Sequence, residues 1–238
     1  MELPPELRDM IYEMALIDED GVSIVAKTKA YRRTVYRAII HDELGHRSRR
    51  RGSTRRTTED GGKDSVPKKL VPNLLAVSKQ VHNETVNILY GQDLTFQDTD
   101  ALHRFLGIIG LRNQQRLHHI NLNSFCTSRN MKAINHCAFM TLAGATNLKT
   151  LVLNNYQFRY YSCAKGLARG LFMNMHFFLE AYGAAHGRMD AGIDVIQLDE
   201  DTFDSFYVPR RSINAKQPLG EENEATFRAE LCRLLGMR

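Results

Sequence analysis

Leu117-His118-His119-Ile120-Asn121-Leu122 is the stretch that decides the fold, because its spacing of apolar residues recurs twice further along the chain. The same order, apolar-x-x-apolar-x-apolar, is found over residues 148–153 and again over residues 193–198. In each copy the last two apolar residues are two positions apart, so they lie on one face of a β-strand. The repeat therefore predicts three related strands in the second half of the chain.

Two stretches with helical character separate these strands, at residues 130–144 and 163–185. An alternation of strand and helix predicts parallel pairing, with right-handed crossovers between neighbouring strands. A closing helix is expected over Glu221–Leu235, where glutamates come early and an arginine late, as the helix dipole favours. The second half is thus predicted to be an α/β layer.

The N-terminal residues have the pattern of an amphipathic helix. Leu7, Met10, Ile11 and Met14 are spaced at i, i+3, i+4 and i+7, which places them in one apolar stripe. Pro5 falls in the first turn, where its missing N–H removes no intrahelical hydrogen bond. A short helix is therefore predicted at the start of the chain.

Three further elements are predicted in the first half. Short β-branched runs at residues 21–26 and 34–40 predict a β-hairpin. A second helix is expected over residues 73–90, because its apolar residues keep helical spacing. A short strand follows at residues 94–96.

Two of these segments resemble a known family. The string Leu-Pro-x-Glu-Leu at residues 3–7, followed by Ile11-Tyr12-Glu13, resembles the first helix of an F-box, in the form found in fungal F-box-like proteins. Leu-x-Val-Ser-Lys-Gln-Val at residues 75–81 resembles the second F-box helix, and residues 83–91 follow the fungal pattern. An F-box is a three-helix adaptor that docks on the Skp subunit of cullin–RING ubiquitin ligases, while the rest of the chain recruits a client.

The resemblance implies an adaptor-binding role for the residues that match the family's docking positions. These are Leu3, Pro4, Leu7 and Ile11. The implied partners are a Skp-type adaptor subunit and a client protein that the sequence does not name.

A second interpretation of the same residues remains open at this point. They could instead pack onto Leu75, Val77 and Val81 within the chain, in which case no docking surface would exist. The two F-box-like helices are also separated by a long insertion, whereas they are contiguous in a compact F-box.

The strand–helix layer resembles leucine-rich repeats, which many F-box proteins carry. Its repeat spacing is longer than the usual ~20–29 residues, and the asparagine that normally follows the strand is replaced by Phe125, Tyr156 and Asp201. The expected fold class is α/β, with mixed α+β structure at the N-terminus. F-box-like helices come first, and an irregular leucine-rich-repeat-like layer follows.

Length and composition fit an intracellular globular protein. The chain has 238 residues, of which 43% are hydrophobic and 25% charged, and no apolar run is long enough to span a bilayer. No signal peptide is predicted, and the four cysteines are scattered without a C-x-x-C pair. We therefore expect a cytoplasmic or nuclear protein without a membrane partner.

Two regions are predicted along the chain. Residues 1–110 form an F-box-like helical region with an inserted hairpin and a disordered Arg-rich loop at about 41–69, because that loop has few apolar residues to bury. Residues 111–238 form the repeat-like α/β region with its C-terminal helix.

The positive net charge of +5 is carried by residues 37–69, which comprise this loop and the residues just before it. Its arginine cluster comprises Arg47, Arg49, Arg50, Arg51, Arg55 and Arg56. The cluster is interpreted first as a solvated insertion, second as a nuclear-import or nucleic-acid patch, and third as a phosphorylation switch at Ser53. No aromatic residue interleaves the arginines, so the cluster offers no stacking platform for single strands, and nucleic acid is not the favoured partner.

No motif in the chain predicts chemistry. It has no glycine-rich phosphate loop and no nucleophile elbow, and His41 and His46 are five residues apart instead of four. His118 and His119 precede a strand, where adjacent side chains face opposite ways. No catalytic residue, cofactor or metal is therefore expected. The leading hypothesis is a non-enzymatic F-box-like interaction protein, with a nuclear nucleic-acid-binding protein or a ligase-independent scaffold as alternatives.

Overall fold

The computed structural model describes residues 3–19, 21–29, 32–38, 70–127, 129–154, 161, 163–198, 202–203 and 220–237. Within these ranges the chain folds as an α/β protein, which confirms the predicted class. The predicted disordered loop at 41–69, with its arginine cluster, Ser53 and the two histidines at 41 and 46, lies outside the described residues.

The strands of the described chain are β1 (Val22–Lys29), β2 (Arg32–Arg37), β3 (Asp93–Phe96), β4 (His119–Leu122), β5 (Thr150–Leu153) and β6 (Ile196–Leu198). Its α-helices are α1 (Pro5–Leu16), α2 (Lys79–Gly91), α3 (Thr99–Gln114), α4 (Lys132–Leu142), α5 (Ala164–His186), α6 (Ala191–Val195) and α7 (Gly220–Leu234). Short 3₁₀ turns occur at Pro72–Ala76 and Arg129–Met131.

All six strands form one sheet, in the order β2-β1-β3-β4-β5-β6. β1 and β2 pair antiparallel as the predicted hairpin, and every other pairing is parallel. The three related strands of the sequence repeat are β4, β5 and β6, which are neighbours as predicted. α6 was not predicted, because five residues carry too little periodicity to be recognised.

One face of the sheet is buried and the other is open. The buried row that runs through Leu94, Ile120, Leu151 and Ile196 belongs to the same core as the buried residues of α3, α4 and α5. Each parallel strand is joined to the next through at least one helix, and the strands follow one another across the sheet in chain order. Because these connections are right-handed, the connecting helices lie on the same face of the sheet.

The opposite surface of the sheet is here called the open face. Its members are Ser23, Asp93, Thr95, His119, Asn121, Thr150, Val152 and Gln197, which lie in register across the strands. None of them is buried, so no described helix covers this face. Asp93 and Gln197 on this face are exposed, and its other six residues are half-buried.

The hairpin belongs to the sheet and does not stand apart from it as an insertion. β1 pairs in parallel with β3 over Val22–Ile24, and β3 pairs with β4. The hydrogen bonds between β3 and β4 therefore join the two predicted regions, residues 1–110 and 111–238. Both regions share one sheet and one core.

The second predicted helix is broken. Ser78 has an extended backbone and its hydroxyl accepts a hydrogen bond from the N–H of Val81 at 3.2 Å, so α2 begins only at Lys79. Residues 72–76 form a separate 3₁₀ turn before this cap. The prediction of one continuous helix was wrong because a serine inside an apolar pattern acts here as an N-cap.

Candidate protein-interaction surface

α1 is attached to the body of the protein by the side opposite its apolar stripe. Tyr12 and Leu16 are its buried side chains. The stripe on the other side consists of Leu7, Met10, Ile11 and Met14, and Leu3 continues it before the first turn. These five side chains are between 46% and 70% exposed, and they are here called the apolar face of α1.

An amphipathic surface helix normally turns its apolar stripe towards the core. α1 does the reverse, and the five exposed side chains are adjacent and not scattered. Covering the exposed half of one such side chain is worth about 1 kcal/mol, since full burial is worth about 1.5–3 kcal/mol. A partner that covered the whole face would therefore gain several times that amount before the cost of association.

Polar bonds from Arg8 and Tyr12 to Glu84 hold α1 against α2. Arg8 Nη2 lies 3.1 Å from Glu84 Oε1, and the Tyr12 hydroxyl donates to Glu84 Oε2 at 2.9 Å. Gln80 Nε2 donates to Oε1 of the same carboxylate at 3.0 Å. Since Arg8 also donates to the Leu3 carbonyl at 3.0 Å, one guanidinium links the start of the apolar face to α2.

A second set of bonds holds the C-terminal end of α1. Gln92 Nε2 donates to the Leu16 carbonyl at 3.0 Å, while Gln92 Oε1 accepts from the Asp18 N–H at 3.1 Å. The N–H of Val71 donates to the Ala15 carbonyl at 3.0 Å. Asp18, itself buried, is ion-paired with Arg37 of β2. The helix is thus fastened at both ends while its apolar face points outward.

The ionisation of the contact groups supports this attachment. Hydrogen bonds from Gln80 and Tyr12, with the Arg8 guanidinium close by, lower the pKa of the Glu84 carboxyl. Burial raises the pKa of the Tyr12 phenol, and its bond to Glu84 acts in the same direction. Near neutral pH Glu84 is therefore charged, and Tyr12 retains the proton that it donates.

The positions predicted for adaptor binding lie together on this surface. Leu3, Pro4, Leu7 and Ile11 are all exposed. The alternative that they pack onto Leu75, Val77 and Val81 is wrong, because the side of α1 that faces the body presents Arg8, Tyr12 and Leu16 instead. Val77 is itself 67% exposed.

The contact network was not predicted from the sequence. Arg8 and Tyr12 belong to the string that resembles an F-box, but their partner Glu84 is 72 residues beyond Tyr12. Local periodicity carries no information about such a distant pair. Met10 and Met14 were placed in the stripe but not among the binding residues, although their side chains are the most exposed of the face.

The titratable side chains of the described residues were also compared with the requirements of a metal site. No group of three or more His, Cys, Asp or Glu side chains within them could hold a metal ion. His119 Nδ1 lies 2.8 Å from the Thr150 hydroxyl, and the pKa of His118 is lowered by burial and by the charge of Lys149. Among the described helices, none has both the length and the apolar character that crossing a bilayer requires.

A family model matches the N-terminal part of the chain. The model of a domain of unknown function, DUF7730, matches residues 1–131, a range that includes α1, α2 and the first four strands. No curated protein matches the chain, and no solved structure does. Because the matched range exceeds half of the 238 residues, the chain belongs to the DUF7730 family.

Proposed function

We propose that this protein is a non-enzymatic, F-box-like interaction module. The apolar face of α1 binds a Skp-type adaptor subunit of a cullin–RING ubiquitin ligase, and the sheet layer recruits a client protein. The observation that carries the proposal is a helix whose large apolar side chains face solvent while polar bonds fix its other side.

The chemistry of this face supports a protein partner. Leu, Ile and Met side chains, each about half exposed or more, are typical of contact surfaces that become buried on association. Methionine adapts its shape to a partner, and Met10 and Met14 lie in the same stripe as Leu7 and Ile11, which belong to the F-box-like string.

The position of α1 beside α2 adds support. In the F-box resemblance these two helices correspond to neighbours in a small bundle, and Arg8 and Tyr12 of α1 bond to Glu84 of α2. The scattered cysteines support a cytoplasmic or nuclear location for such an adaptor.

Co-purification tests the proposal. The full chain is expected to retain a purified Skp-type adaptor, and the double variant Leu7→Asp with Ile11→Asp is expected to lose it, because two charges would be buried in the interface. Both side chains are exposed in the free protein, so the variant should unfold at the same urea concentration as wild type.

Met140→Asp provides the matched control. Met140 is 56% exposed on α4, away from α1, and its substitution should leave adaptor retention unchanged. If wild type retains no adaptor under conditions where a known F-box protein does, the ligase role is wrong. Equal loss in the control variant would show that retention does not depend on α1.

A further inference from the structure

The β1–β2 hairpin extends beyond the strands beside it. β3 pairs only with Val22–Ile24 of β1, whereas β1 and β2 remain paired from Ile24–Arg37 out to Lys29–Arg32. Residues 25–29 and 32–36 therefore project past the end of β3 as a two-stranded extension, here called the hairpin arm.

The hairpin arm is basic. Lys27, Lys29, Arg32 and Arg33 lie within it, and residues 21–41 contain no Asp or Glu. Arg104 of α3 holds the arm by donating to the Lys27 carbonyl and to the Thr28 hydroxyl, each at 3.0 Å. Asp100 is the ion-pair partner of Arg104. Its carboxylate is therefore already neutralised and does not offset the positive charge of the arm.

One side of the arm continues the open face of the sheet. Side chains alternate along a strand, so Lys27 lies on the same side of β1 as Ser23, and its register partner is Thr34. Tyr36 lies on this side as well and is 47% exposed, with Lys27 Nζ 5.3 Å from the centre of its ring. A cation and an aromatic ring thus stand together next to the open face.

The open face itself offers hydrogen-bonding groups. Thr95, Asn121 and Gln197 lie in one row across it, and Asn121 accepts a hydrogen bond from Asn154 at 3.0 Å. Asp93, at the far end of β3, is the acidic side chain of the described open face. Short amide and hydroxyl side chains allow an extended chain to approach and to bond through its backbone.

We propose that the hairpin arm and the adjoining open face bind an extended, acidic segment of a client protein. Carboxylates of the segment pair with Lys27, and its backbone bonds to the amides and hydroxyls of the open face. Charge complementarity favours an acidic ligand. Among the described residues of the hairpin arm and the open face, Tyr36 is the single Phe, Tyr or Trp side chain, and one such ring does not make the stacking platform that a single-stranded nucleic acid requires.

The inference concerns the client-binding half of the proposed function and is independent of adaptor binding by α1.

The probe is a fluorescein-labelled peptide of alternating glutamate and threonine, titrated against the full chain by fluorescence anisotropy. Lys27→Glu is expected to weaken binding about tenfold, since it reverses a charge about 5 Å from the ligand in a solvent-exposed site. Asn121→Asp keeps the acceptor for Asn154 and should also weaken binding.

Three controls locate the effect. Lys165→Glu makes the same charge change at an exposed position of α5 and should leave the affinity unchanged. The Leu7→Asp, Ile11→Asp variant should bind the peptide like wild type. A triple variant, Arg49→Ser, Arg50→Ser and Arg51→Ser, removes charge from the arginine cluster. It should keep the contribution to peptide affinity that is lost in Lys27→Glu.

Several results would overturn the inference. These are no binding by wild type, equal binding by Lys27→Glu and Lys165→Glu, or loss of all binding in the triple arginine variant alone. An oligothymidylate that bound more tightly than the peptide, and lost affinity in Lys27→Glu, would assign this surface to nucleic acid instead.

Discussion

At the residue scale, Glu230 of α7 is a buried carboxylate, with only 6% of the residue exposed to solvent. Arg169 Nε of α5 lies 2.8 Å from Glu230 Oε1, and Arg233 Nε lies 2.9 Å from Oε2. Hydrogen bonds from Arg233 and Arg169 lower the pKa of Glu230 from 4.5 to about 2. The charged carboxylate therefore helps to hold α7 on α5.

This lowered pKa predicts a loss of stability in acid. The stabilisation is complete above the ordinary pKa and is lost as the pH falls through the pKa of the folded state, between about pH 5 and pH 2. Glu230→Gln should unfold at lower urea concentration near neutral pH and should lose less stability on acidification than wild type does. Urea midpoints measured across this pH range test the prediction.

Glu224→Gln is the control for the pH effect. Glu224 also pairs with an arginine, Arg228 at 3.1 Å, but both side chains are more than 40% exposed. An exposed pair contributes little, so this variant should follow the wild-type pH profile. A Glu230→Gln profile that ran parallel to wild type would contradict the role given to the buried carboxylate.

At the scale of single elements, two helical glycines differ in what surrounds them. A Cβ on Gly183 of α5 would lie 2.9 Å from Met189 Cα and 3.0 Å from the Arg188 carbonyl oxygen, both backbone atoms of the following turn. A Cβ on Gly107 of α3 would meet no heavy atom of the described residues within 4 Å. The first glycine is required by close packing, and the second is not.

Alanine at these two positions should have opposite effects on stability. Gly183→Ala forces backbone segments apart and should lower the free energy of unfolding by about 1–3 kcal/mol. Gly107→Ala should raise it by about 0.5–1 kcal/mol, since alanine loses less backbone entropy in a helix. Thermal or urea unfolding of the pair measures both, and equal stability of Gly183→Ala and wild type would contradict the packing described.

Prediction from sequence succeeded for elements whose signal is local. The repeated apolar spacing located β4, β5 and β6, and the stripe from Leu7 to Met14 located α1. It failed at Ser78, where one hydroxyl ends an apparently continuous helical pattern. The direction in which the stripe of α1 faces was also beyond local reasoning, because it depends on Glu84, far along the chain.

At the scale of the whole molecule, the helices α3, α4 and α5 pack on one face of the sheet, and the described residues leave the other face without a helix layer. Parallel strands covered on both faces are apolar throughout, whereas the polar residues Thr95, Asn121 and Gln197 alternate here with apolar ones. That alternation was readable in the sequence and indicates an open face. The parallel pairing of β1 with β3 was not readable, because a long stretch of chain separates the two strands.

The two surfaces also lie on different parts of the molecule. The apolar face of α1 is formed by a helix that packs on α2, while the hairpin arm and the open face belong to the sheet. An adaptor and a client could therefore be bound through separate residues, and variants of one surface should leave the other intact.

Hydrogen–deuterium exchange of the full chain, with and without a purified Skp-type adaptor, tests the central claim most directly. The account predicts that peptides covering residues 3–16 exchange more slowly in the complex, because the partner covers the apolar face and suppresses opening of α1. Peptides covering α5 should exchange at the same rate in both samples. Unchanged exchange over residues 3–16 in a formed complex, or protection of α5 instead, would contradict it.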